Sequence, residues 1–118
     1  MRNLNEYFRR KVDFPRIRMG KKKEIEIMIS EEALLFAKYS KRAIVDIAYR
    51  KEGKLVFVEL EHKSDWKGNI LRASKLCDKL VSVFIREKDV IEAVNFVKQE
   101  NLLNVEVTDA YYAYTVIP

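Results

Sequence analysis

The sequence predicts an α/β fold: a single domain in which a mixed β-sheet is flanked by helices. Three patterns point there. Residues 43–50 (AIVDIAYR) and 54–62 (KLVFVELEH) are rich in β-branched and aromatic side chains, and Glu52-Gly53 lies between them as a tight turn. Residues 80–85 (LVSVFI) form a continuous apolar run, the pattern of a strand covered on both faces. Helical spacings then alternate with strand patterns, which favours parallel pairing through right-handed crossovers.

Taken in order, residues 3–11 suit a short helix, and Pro15 and Gly20 break the stretch that follows. Residues 23–29 (KEIEIMI) alternate charged and apolar side chains, with Ile25, Ile27 and Ile29 on one face, and predict a half-buried strand. Ser30 with Glu31 and Glu32 is a good helix start, and a helix over about 31–41 follows. After the hairpin, Ser64 or Asp65 caps a helix to about Leu80 that keeps Ile70, Ala73, Cys77 and Leu80 at helical spacing. A helix over 88–100 buries Val90, Ala93, Val94 and Val97. Residues 103–108 predict another strand, and 111–117 (YYAYTVI) a last one.

Composition removes several classes of function. The 118 residues suit one domain, and 48% hydrophobic with 35% charged residues is ordinary for a soluble protein. No apolar run approaches the roughly 20 residues of a membrane span, and the first residues lack a signal peptide's apolar stretch, so a cytoplasmic protein with no membrane partner is expected. Cys77 is the single cysteine, which excludes an internal disulfide and a cysteine-based zinc site. His62 is the single histidine and has no nucleophile motif nearby. Gly20, Gly53 and Gly68 match neither a P-loop nor a dinucleotide fingerprint.

The net charge of +5 is unevenly placed. Residues 1–23 hold nine Lys/Arg against Glu6 and Asp13, whereas the other 95 residues hold 14 basic and 16 acidic groups. Such a basic arm suggests a polyanion, most simply DNA, and Arg9, Arg10, Lys11, Arg16, Arg18, Lys21, Lys22 and Lys23 are its candidate contacts. Arg72, Lys75 and Lys79 would share one face of the helix after the hairpin and could touch phosphates as well. Trp66, Tyr111, Tyr112 and Tyr114 could stack on bases, or could serve a core edge or a homodimer interface.

The hairpin carries the chemistry. A two-residue turn pairs Lys51 with Lys54, and therefore Tyr49 with Val56, Ile47 with Val58 and Val45 with Leu60 on one wholly apolar face. A slip of one residue would mix polar and apolar partners, which buried sheets resist. On the other face Asp46 lies opposite Glu59, with Glu61 two residues on and Lys63 next. Opposed like charges destabilise a strand pair. A hard divalent cation would offset the repulsion, and Mg²⁺ takes oxygen ligands of this kind. The bland alternative is that the acids solvate an exposed sheet face, paired with Lys63 and Arg50.

Over residues 42–86 the pattern resembles the PD-(D/E)XK nuclease superfamily, especially the archaeal Holliday-junction resolvases: an aspartate in one strand (Asp46), an acid-x-lysine pattern in the next, then a helix and an apolar strand. Glu61-His62-Lys63 fits the motif as Glu-x-Lys, and Glu59-Leu60-Glu61 fits a Glu-x-Glu variant. The second frame agrees with Asp46 lying opposite Glu59 and is preferred, with Lys63 as an auxiliary. The residue before Asp46 is Val45 rather than the family's proline, and the helix-borne glutamate could be Glu6, Glu31 or Glu32. The resemblance implies a restriction-endonuclease-like core and a nuclease that hydrolyses DNA phosphodiester bonds with Mg²⁺ or Mn²⁺, selective for branched or single-stranded substrates. Asp46, Glu59 and Glu61 would bind the metal, and Glu61 could also take a proton from the attacking water. Lys63 would orient that water or stabilise charge at phosphorus. The alternatives are a non-catalytic nucleic-acid-binding protein or a protein-interaction subunit that keeps this fold.

Overall fold

The computed structural model describes residues 14–28, 45–62 and 65–118. Among these, four strands form one mixed sheet: β1 (Ile47–Lys51), β2 (Lys54–Glu61), β3 (Lys79–Phe84) and β4 (Val105–Asp109), in that spatial order. β1 runs antiparallel to β2, while β2, β3 and β4 are parallel. The turn sets the first pairing. Glu52 and Gly53 both adopt positive φ (52° and 80°), as a tight two-residue hairpin requires. The register follows as expected, with Lys51 opposite Lys54, Tyr49 opposite Val56 and Ile47 opposite Val58.

Helices cover both faces. α1 (Phe14–Met28) and α4 (Ala113–Val116) supply Ile25 and Ala113 to a core with Ile47, Tyr49, Val58, Leu60 and Val81. α2 (Trp66–Ser74) and α3 (Lys88–Gln99) supply Ile70, Ala73 and Ala93 to a second core with Ala48, Phe57, Leu80 and Phe84. This is the predicted α/β class, a mixed sheet flanked by helices.

Several elements differ from the sequence pattern. Residues 23–28 are helical, in a helix that runs through Pro15 and Gly20. A proline in the first turn gives up an N–H that has no intrahelical partner anyway. Lys21 meets Glu24 at 3.0 Å and Lys22 meets Glu26 at 3.8 Å, spacings of three and four that a helix aligns. The KEIEI run fits both periods, and these ion pairs together with fully buried Ile25 favour the helix. The helices expected at 3–11 and 31–41 lie outside the described residues.

α2 stops at Ser74 instead of reaching Leu80. Asn104 Nδ2 donates to the carbonyls of Ser74 and Cys77, and Asp78 draws the chain into the sheet by accepting the Leu55 N–H at 2.7 Å. Lys79 therefore opens β3 and does not share a helix face with Arg72 and Lys75. Its ammonium pairs with Glu106 at 2.9 Å. Residues 111–117 are not a strand. The Asp109 carboxylate accepts the Tyr112 N–H at 2.8 Å, turning the chain into α4. Val45 packs with Ala48 and Phe57 rather than on the Leu60 face. The β1 ladder begins only at Ile47, so strand alternation does not extend back to Val45.

Candidate acidic site

β2 ends in Glu59-Leu60-Glu61, at the carboxyl end of the parallel strands, where α/β sheets place their ligands. Glu59 and Glu61 point to the face covered by α2 and α3 and are 6% and 2% exposed. They are therefore not solvated acids on an open sheet face. Burial of two carboxylates two residues apart is costly unless something compensates the charge. Ser82, the β3 register partner of Glu59, is fully buried, and its hydroxyl has no hydrogen-bond partner among the described residues.

Asp46 joins them where the β1 ladder stops. Its backbone N–H donates to Glu59 Oε1 at 3.1 Å, and its Oδ2 accepts the Leu60 N–H at 2.8 Å. Its Oδ1 meets the guanidinium of Arg18, whose Nε also donates to the Leu60 carbonyl at 2.9 Å. Arg18 and Asp46 thus satisfy both backbone groups of Leu60 beyond the last ladder pair. Asp46 and Glu59 meet as predicted, with Glu61 two residues further along β2, but Asp46 is already engaged by Arg18, itself a candidate nucleic-acid contact.

The electrostatics concentrate on Glu59. Burial, then the Asp46 carboxylate, then Glu61 push its pKa up to about 8, while the Asp46 N–H and Arg18 pull the other way. Burial and the neighbouring carboxylates therefore favour its protonated form. Glu61 accepts from Asn69 Nδ2 at 3.4 Å, and Asn69 Oδ1 accepts from Arg72 at 2.6 Å. Asn69 was missed because an amide one turn into a helix has no pattern of its own. Arg18 could have been found from its spacing to Ile25, two helical turns away on the same face.

The remaining candidates are dispersed. Lys63 and Arg9, Arg10 and Lys11 lie outside the described residues. On α1, Arg16 and Lys23 are exposed, and Lys21 and Lys22 pair with glutamates of their own helix. Arg72 and Lys75 are exposed near the end of α2. Cys77 donates to the Ala73 carbonyl at 3.4 Å, and burial pushes its thiol up to about 11, which makes it a poor nucleophile.

The donor set suits a hard cation, since it consists of carboxylate oxygens. Glu59 is buried beside Asp46 and Glu61 with its pKa pushed up, a cost that such a cation would offset, and this is what fits a metal. Set against it, Asp46 is shared with Arg18, and no group of three or more His, Cys, Asp or Glu side chains among the described residues is arranged to hold one ion. No helix among them is long and apolar enough to cross a membrane. Comparison with protein-family models, curated proteins and solved structures finds no match to this chain.

Proposed function

We propose that the protein is a divalent-metal-dependent nuclease acting on DNA in the cytoplasm. The observation that supports this reading is the burial of Glu59 beside Asp46 and Glu61 at the strand ends, an arrangement that pushes its pKa up and that a bound cation would relieve. A fold stabilises such a group poorly, so its retention suggests a functional demand. Asp46, Glu59 and Glu61 would hold Mg²⁺ or Mn²⁺, which when bound acidifies a water and neutralises charge developing on a phosphate. Glu61, steadied by Asn69, would complete the ligand set or accept a proton. Lys63 would orient the attacking water or stabilise charge at phosphorus, and Arg72, Lys75 and the basic residues of α1 would contact the DNA backbone.

A second reading is favoured by one contact. The Arg18 guanidinium already neutralises Asp46, as it would in a DNA-binding protein of nuclease-like fold that no longer cleaves. Cleavage assays decide between the two. Branched and single-stranded DNA incubated with Mg²⁺ or Mn²⁺ should be cut, and Asp46→Ala or Glu59→Ala should lower the rate by about 100-fold or more, the upper range seen for disturbing even the surroundings of a metal ligand. Intact DNA across the panel, with binding that persists in both variants, would establish the second reading instead.

A further inference from the structure

We propose that Tyr111 and Tyr112 form a stacking platform for the unpaired bases of single-stranded nucleic acid, at the same end of the sheet as the acidic site. The inference rests on the nucleic-acid reading above and adds the class of strand that is recognised. Its basis is placement. Glu61 is the register partner of Phe84, and Phe84 is the partner of Asp109, so the three form a row across the carboxyl ends of β2, β3 and β4. Neighbouring strands are about 4.8 Å apart, which puts the Asp109 backbone roughly 10 Å from that of Glu61. Asp109 in turn anchors the turn that carries the tyrosines, through the Tyr112 N–H at 2.8 Å.

The two rings are unlike the other aromatic side chains among the described residues. They lie 5.0 Å apart at 80°, are 77% and 58% exposed, and belong to neither core cluster. Trp66, another stacking candidate, packs edge-on against Phe84 and Phe96 at 5.3 and 5.6 Å and serves the core between α2 and α3. Single exposed apolar groups need no explanation, but two adjacent rings held by a pinned turn present a fixed aromatic surface. Bases stack on such surfaces with little regard to sequence, since every base has a π-face. A duplex keeps those faces occupied by its own stacking, so the platform selects unpaired bases. The positive charge concentrated in residues 1–23, nine Lys/Arg against two acids, would draw the phosphate backbone without distinguishing strands.

Fluorescence anisotropy with a labelled oligothymidylate and a labelled duplex, both in a chelator so that no cleavage occurs, tests the platform separately from the metal site. The wild-type protein should favour the single strand. The Tyr111→Ala/Tyr112→Ala double variant should lose single-strand affinity by about tenfold, a conservative figure for two stacked bases, with duplex affinity unchanged. The Tyr111→Phe/Tyr112→Phe variant should bind as wild type does, because a phenyl ring stacks as well. Wild-type affinity in the alanine variant, equal losses on both probes, or no single-strand preference to begin with would each overturn the platform. Failure to cleave DNA with metal would instead overturn the nuclease reading and leave this binding result standing.

Discussion

At the amino ends of the parallel strands, Lys79 meets Glu106 at 2.9 Å beside an open groove, and both side chains stay substantially exposed. Asp78 spends its carboxylate on the Leu55 N–H. At the carboxyl ends, Glu59 and Glu61 are buried, and half-buried Asp46 meets Glu59 and is bonded to Arg18. The first arrangement is ordinary surface chemistry, worth little to stability and replaceable. The second opposes folding, because buried like charges raise one another's cost of ionisation. A domain this small has little stability to spare, so an acidic cluster at the carboxyl end is a cost that the proposed metal would offset.

The largest expected effect of this asymmetry is a pH dependence. The folded-state pKa of Glu59, about 8, lies above its ordinary value of 4.5. The native state therefore holds a proton that the unfolded chain has released, and stability falls as pH rises from about 5 to 8. The loss over that window is on the order of 3–4 kcal/mol. Urea unfolding of Glu59→Gln, whose amide mimics the protonated acid, should show most of this slope removed. Glu106→Gln at the other end should leave the slope intact, and equal slopes in all three proteins would erase the contrast between the two ends.

Next in size, Arg18→Ala should cost about 1–2 kcal/mol, less than a fully buried pair because Arg18 keeps about a third of its side chain exposed. Lys79→Ala should cost at most about 0.5 kcal/mol, as exposed pairs usually do. Midpoints of thermal or urea unfolding compare the two directly, and a larger cost for Lys79→Ala would reverse the ranking. The smallest effect is a gain. Gly20 lies inside α1 with open space where a Cβ would go, so Gly20→Ala should stabilise by about 0.5–1 kcal/mol. A loss there would mean that α1 needs a glycine at this position, and would weaken the account of how Arg18 is presented to Asp46.

What could be read from the sequence follows the same division. The hairpin register was legible because one face is wholly apolar and Glu52-Gly53 fits a single turn type, and both constraints act between neighbouring residues. That register brought Asp46 to Glu59 before any coordinates. Residues 23–28 were misread because KEIEIM satisfies the strand and the helix period at once, and the ion pairs that separate them are visible only once a helix is assumed. The end of α2 was missed because long-range partners, Leu55 and Asn104, terminate it. Burial of the acids was also missed. Alternation assigns Glu59 and Glu61 to a face, but only the packing of α2 and α3 shows that the face is covered. The Arg18 contact spans 28 residues, and only its helical spacing to Ile25 hints at the face it shares.

Calorimetric titration of the wild-type protein and Glu59→Gln with Mn²⁺ at pH 7, in two buffers of different ionisation enthalpy, tests the central claim most directly. The account predicts saturable binding by the wild type with release of about one proton, since the metal must displace the proton on Glu59, and neither binding nor release in the variant. Binding that is absent from both proteins, or equal in both with no proton released, would contradict it.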